Sequence, residues 1–196
     1  MSIYPPLMKD LALSSTVLKF HGKSDIRFSP DEVYTPNYHK RLNMYYTCSK
    51  KFPRMLREGM LLFLTALSND ADGAKTAIVA GRARSCGADE ANEAAHLADE
   101  FLWHDQFGFY VVLKDIEVVD TMLVNCITMQ QLVSEVGNNL YPGTVGKEVS
   151  HAELCRRYDR KTYISITDYA AVSLNAMLDD LFSKYGKVSL HSSKQG

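Results

Sequence analysis

Two apolar runs, Met60–Leu67 and Ala77–Ala83, stand out in the hydrophobic–polar pattern, with the polar stretch Ser68–Gly73 between them. Runs of this length bounded by turn residues fit buried strands. Asp72-Gly73 supplies the turn, because glycine tolerates the positive φ that a tight connection needs. The pattern predicts a buried β-hairpin, launched by a short amphipathic turn that ends at Gly59. The spelling Asp70, Asp72, Gly73 partly matches a calcium loop, but the position of its bidentate acid falls on Val79. The stretch reads as a turn.

Elsewhere the pattern alternates short strands with capped helices. Leu7–Leu13 reads as a short helix, Val17–Phe20 as a strand, and Pro36 opens a helical segment continued by Asn37–Tyr45. Pro53 takes an early position in a turn over Phe52–Glu58, where its missing N–H costs nothing. Asp89–Leu97 reads as a helix with acids at its start. Phe107–Leu113 is rich in aromatic and β-branched residues and predicts a strand, with Ile116–Asp120 continuing it past a kink or forming another. Met129–Val136 predicts a helix stopped by Gly137, and Ser150-His-Ala-Glu153 has the spelling of a capping box. Thr162–Ile166 alternates as a strand. Thr167 then caps a long helix to about Lys184, with Ala171, Leu174, Leu178, Leu181 and Phe182 towards one face. The polar stretch Gly186–Gly196 reads as frayed.

Composition changes this picture little. The apolar share of 46% and the charged share of 23% are those of a globular chain able to bury a core. No apolar run approaches the roughly 20 residues of a membrane span. The N-terminus lacks the basic start and apolar middle of a secretory signal. No membrane partner and a cytoplasmic location are therefore expected. Cys48, Cys86, Cys126 and Cys155 form no close pair, so they read as reduced, small buried groups rather than zinc ligands.

Charge distribution is more informative than the net charge of −1. Lys40, Arg41, Lys50, Lys51, Arg54 and Arg57 follow one another with no acid among them, while Asp89–Asp105 carries Glu90, Glu93, Asp99 and Glu100. The basic stretch is interleaved with Tyr34, Asn37, Tyr38, His39, Tyr45, Tyr46 and Phe52. Rings stack on splayed bases, Asn reads a base edge, and Arg and Lys hold phosphates. The structural alternative is that the tyrosines pack and the cations form a solvated face. Gly143-Thr-Val-Gly146-Lys147 lacks the full phosphate-loop spelling. It fits better as a loop whose amides and Lys147 lie near a phosphate backbone. No nucleophile-elbow, zinc-protease or paired-acid motif is present, and the histidines do not pair at ligand spacing.

Several of these segments together resemble the EVE branch of PUA-like domains. They are the Asn- and Arg-bearing Pro36–Asn43, the Gly-ended Met55–Gly59, the strand Leu61–Thr65 ending in Phe-Leu-Thr, Ile78–Ala83, and Trp103 before Phe109–Lys114. The resemblance covers about residues 34–136 and implies a small, bent β-barrel flanked by helices, with a pocket that takes a base. By that analogy Asn37, Tyr38, Arg41, Thr65 and Trp103 are the positions to watch. Met60 stands where an acid is usual. The related ASCH signature fails as well, since Gly73-Ala-Lys75 runs on to Ile78 and Ala80, so the resemblance implies no amidohydrolase chemistry.

The combined expectation is an α+β fold with a bent, mainly antiparallel PUA-like barrel and helices outside it. A packing arm over residues 1–30, one domain over 31–186 and a flexible tail over 187–196 complete it. The expected function is binding of RNA or modified DNA, with no cofactor and no catalysis of its own, through Asn37, Tyr38, His39, Arg41, Arg54, Thr65, Arg82, Trp103 and Lys147. The rival reading is a small-molecule or nucleotide hydrolase in the same pocket, with His39 or His104 as acid/base and Lys147 or Arg82 holding an anion.

Overall fold

A computed structural model describes residues 16–20, 46–49, 57–69, 75–85, 109–121, 123–157 and 163–190. The predicted hairpin is its centre. Strands β3 (Leu61–Asn69) and β4 (Lys75–Ser85) pair antiparallel along their whole length, with a register shift at Leu64/Thr65. Met60 to Leu64 and Ala77 to Ala80 are buried, as apolar runs of this kind demand.

Around the hairpin the remaining strands extend the sheet on both sides. β1 (Thr16–Phe20) runs parallel to β3, and β7 (Tyr163–Ile166) pairs antiparallel with β1 to end that side. On the other side β5 (Phe109–Val119) pairs with the second half of β4, while β6 (Ile127–Thr128) pairs with the first half. The outer edge of β5 is divided between β2 (Tyr46–Ser49) and β8 (Lys187–Leu190). The described fold is α+β with a largely antiparallel sheet and three α-helices.

Among the described residues the expected barrel is not formed. The sheet runs β2-β5-β4-β3-β1-β7 and is not closed. Bulges bend it, but β2 and β7, the strands at its two ends, do not pair among the described residues.

One bulge decides where the charged side chains fall. Arg84 pairs with Lys114, whereas Arg82 pairs with Glu117, so β5 holds one more residue than β4 across this span. The extra residue is accommodated at Asp115, whose φ of 53° lies in the left-handed region that Asp enters more readily than most residues. This is the kink that the sequence suggested between Leu113 and Ile116, inside one continuous strand. In unbroken register Ile116, not Glu117, would face Arg82. Next to it Gly81 lets the two backbones close up: an added Cβ would collide with the Glu117 carbonyl oxygen and lie 3.0 Å from Val118 Cα.

Helix α1 (Met129–Val136) is started by Thr128, which with Gln131 forms a reciprocal capping box, and it ends at Gly137. Helix α2 (His151–Arg156) is capped by Ser150, while the Glu153 side chain pairs with Arg157 instead of reaching back. Thr167 caps α3 (Asp168–Tyr185), whose Ala171, Leu174 and Leu178 are fully buried, with Leu181 and Phe182 half-buried against the same core. β8 replaces the expected tail over its length: Lys187–Leu190 is fixed by pairing with Ile116–Val119.

Candidate functional site

The segment Asp115–Val119 looks apolar in sequence except for Asp115 and Glu117, and Ala77–Ala83 is apolar except for Thr76 before it and Arg82 within it. Across the β4–β5 ladder these two charges meet. Arg82 is 1% exposed and Glu117 not at all. Arg82 Nε donates to Glu117 Oε2 at 2.8 Å, and Nη2 lies 2.7 Å from the same oxygen. The outer side of the guanidinium is met by α3, where Asn175 Oδ1 accepts from Nη1 and Asp179 Oδ1 accepts from Nη2 at 2.9 Å. Lys187 of β8 donates to Glu117 Oε1. Phe182 lies beneath both cations, with its ring centre 5.1 Å from Arg82 Cζ and 5.9 Å from Lys187 Nζ. Two cations, Arg82 and Lys187, thus meet two carboxylates, Glu117 and Asp179. Arg82 was expected to hold a ligand anion; it is buried, and its guanidinium is engaged within the protein.

A different arrangement lies at the next paired position. Arg84 stands opposite Lys114 on β5. Like charges directly opposite one another destabilise a ladder. Arg84 Nη1 donates to the Gly59 carbonyl at 3.0 Å, and Lys114, 35% exposed, lies 3.6 Å from Glu58 Oε1. Arg57 is exposed on the turn leading into β3, and that turn is tied to β4 by Gly59 N–H to the Ser85 carbonyl at 2.8 Å. β2 begins at Tyr46, opposite Val112 and two residues from Lys114 on β5, immediately after Lys40–Tyr45. In sequence the basic stretch ends at Arg57, four residues before Leu61, which pairs with Arg84. Three cations, Arg57, Arg84 and Lys114, thus share a corner with Glu58 and with Asp115 of the bulge.

The other expected site residues fall elsewhere. Thr65 is 1% exposed within β3, so it lines the core rather than a ligand surface. Lys147 is exposed, but its Nζ donates to the Gly143 carbonyl at 2.8 Å. The loop closes on itself: Thr144 Oγ1 donates to the Asn138 carbonyl at 2.7 Å, and the Thr144 and Lys147 amides donate to the carbonyls of Tyr141 and Thr144. Asn37, Tyr38, His39, Arg41, Arg54, Trp103 and His104 lie outside the described residues. Arg84 and Lys114 were not among the expected site residues. Each was hidden at the end of an apolar run, and only the register places them opposite one another.

Among the described residues, no three His, Cys, Asp or Glu side chains are grouped to hold a metal ion, and no helix is long and apolar enough to cross a membrane. No family model matches the chain, and no curated protein or solved structure matches it.

Proposed function

We propose that this protein binds nucleic acid, RNA or DNA carrying a modified base, through the cationic corner at β2, β4 and β5. The observation that carries the reading is the cross-strand pair Arg84–Lys114 beside the strand that the basic, aromatic stretch leads into. Two cations directly opposite each other repel across the ladder, and a phosphate beside them turns that repulsion into attraction. The tyrosines and Asn37 of the adjoining stretch add stacking and base-edge contacts of the kind that PUA-like domains imply. In this role Arg84, Lys114 and Arg57 position the backbone, and the aromatic stretch supplies selectivity. The hydrolase alternative is weakened on one count, because both of its anion holders, Arg82 and Lys147, are engaged within the protein.

Fluorescence anisotropy with labelled single- and double-stranded oligonucleotides, plain and base-modified, tests the proposal at two salt concentrations. The expected result is binding that weakens steeply with salt, with a log–log slope of about −2 to −3 for two or three phosphates neutralised. Absence of salt-sensitive binding to every oligonucleotide would overturn it.

A further inference from the structure

A second group of chemically active side chains lies well away from the sheet corner in the chain, where α1 and α2 pack together. Ser150 starts α2, so His151 takes its first position and Cys155 follows four residues later on the same face. The His151 Nδ1 atom lies 3.7 Å from Cys155 Sγ. From the neighbouring helix α1, Ser134 Oγ lies 3.3 Å from the other ring nitrogen, Nε2. His151 is exposed and Cys155 is half-buried against the core, so the site opens to solvent on the His151 side. We propose that Ser134, His151 and Cys155 form a thiol-modification site at which Cys155 exchanges with a small disulfide while His151 acts as its base.

The arrangement has the three parts that such chemistry uses: a nucleophile, a base within reach of it, and a third group that orients the base. In the tautomer that carries its proton on Nε2, His151 donates to Ser134 Oγ and turns the lone pair of Nδ1 towards the thiol. Burial raises the Cys155 thiol above its ordinary value, so it is a protonated thiol at neutral pH and gains from a base at its side. Cys126 supplies the contrast. It is 3% exposed, lies within the core, and burial pushes its thiol up to about 12.

The step balances without any further reagent. Cys155 Sγ attacks one sulfur of the disulfide, the S–S bond of the reagent breaks, and a new S–S bond joins Cys155 to the attacked half. His151 Nδ1 takes the thiol proton and passes it to the departing sulfur, which leaves as a thiol. Cys155 is oxidised and the departing half is reduced.

The test treats the intact protein with hydroxyethyl disulfide and follows each cysteine by peptide mass mapping. Cys155 is expected to form the mixed disulfide faster in the folded protein than in the urea-unfolded chain, while Cys126 stays unmodified until unfolding. His151→Gln should slow Cys155 by at least about tenfold, and imidazole added to the buffer should restore part of that rate. Ser134→Ala should slow it to a smaller extent. His151 and Ser134 are exposed, so thermal melts of both variants should match the parent; the imidazole response reports on the base even if one of them melts early. A Cys155 rate that is unchanged in His151→Gln, or no faster folded than unfolded, overturns the proposal.

Discussion

Arg82 and Arg84 lie two positions apart on β4, and each faces a residue of β5, yet their surroundings are opposite in kind. Arg82 is sealed in the core among Glu117, Asp179 and Asn175, with a second cation, Lys187, balancing the second carboxylate. Arg84 faces Lys114 near the surface, with a backbone carbonyl and the exposed Glu58 as neighbours. The difference follows from what each place allows. A charge taken out of water must be matched on the spot, because an unmatched one costs several kcal/mol. At the rim, water and salt screen the repulsion between two like charges and make it cheap to keep. Charges that hold the fold are therefore balanced on the spot, whereas at the rim two cations share one ladder position within reach of solvent.

The comparison breaks most visibly if the buried side is unbalanced. Glu117→Leu takes from the buried Arg82 its fully buried carboxylate partner and should cost about 3–5 kcal/mol of stability. Adding Arg82→Met in the same chain should recover a large part of that loss, because Lys187, 33% exposed, can turn to solvent. Urea unfolding of the single and double variants checks both statements, and a double variant less stable than the Glu117→Leu single would contradict the pairing.

Geometry that keeps the two pairs in register comes next. Gly81→Ala pushes a methyl against the β5 backbone at Glu117 and Val118 and should cost about 1–3 kcal/mol. At the bulge, Asp115→Val should be less stable than Asp115→Gly by about 1–2 kcal/mol, since a β-branched residue at φ 53° is strained and glycine is not. Thermal melts of the two Asp115 variants, compared with each other, isolate the backbone effect from loss of the carboxylate. Equal stabilities would mean that the left-handed residue does not set the register.

Much of this architecture is legible in the sequence, and the parts that are not share a cause. The Met60–Leu67 and Ala77–Ala83 hairpin, the stop at Gly137 and the Thr167-capped helix are local signals, carried by periodicity and caps. β8 is not local: Lys187-Val-Ser-Leu is too short and polar to declare itself, and it is a strand only because β5 offers an edge. Sheet closure is likewise a property of which edges meet, so a pattern of short strands suggested a barrel that the described strands do not close. The roles of Arg82 and Glu117 were available in principle as single opposite charges inside two apolar strands. Assigning them needed the bulge at Asp115, and a one-residue offset leaves no mark in the hydrophobic pattern. For the same reason Arg82 read as a ligand contact, while Arg84 and Lys114 went unnoticed.

The smallest expected effect on stability belongs to the half-buried pair at the rim, and it carries the largest consequence for binding. Arg84→Gln or Lys114→Gln should change stability by no more than about 1 kcal/mol, as thermal melts would record, because charges at a hydrated rim contribute little. The most direct measurement of the central claim is the salt slope of oligonucleotide binding for the parent protein and the Arg84→Gln/Lys114→Gln double variant, each with its melting temperature. The account predicts a slope shallower by about 2 in the double variant, one for each cation removed, with weaker binding to all sequences and no loss of thermal stability. A double variant that binds with the parent's affinity and salt slope would contradict it.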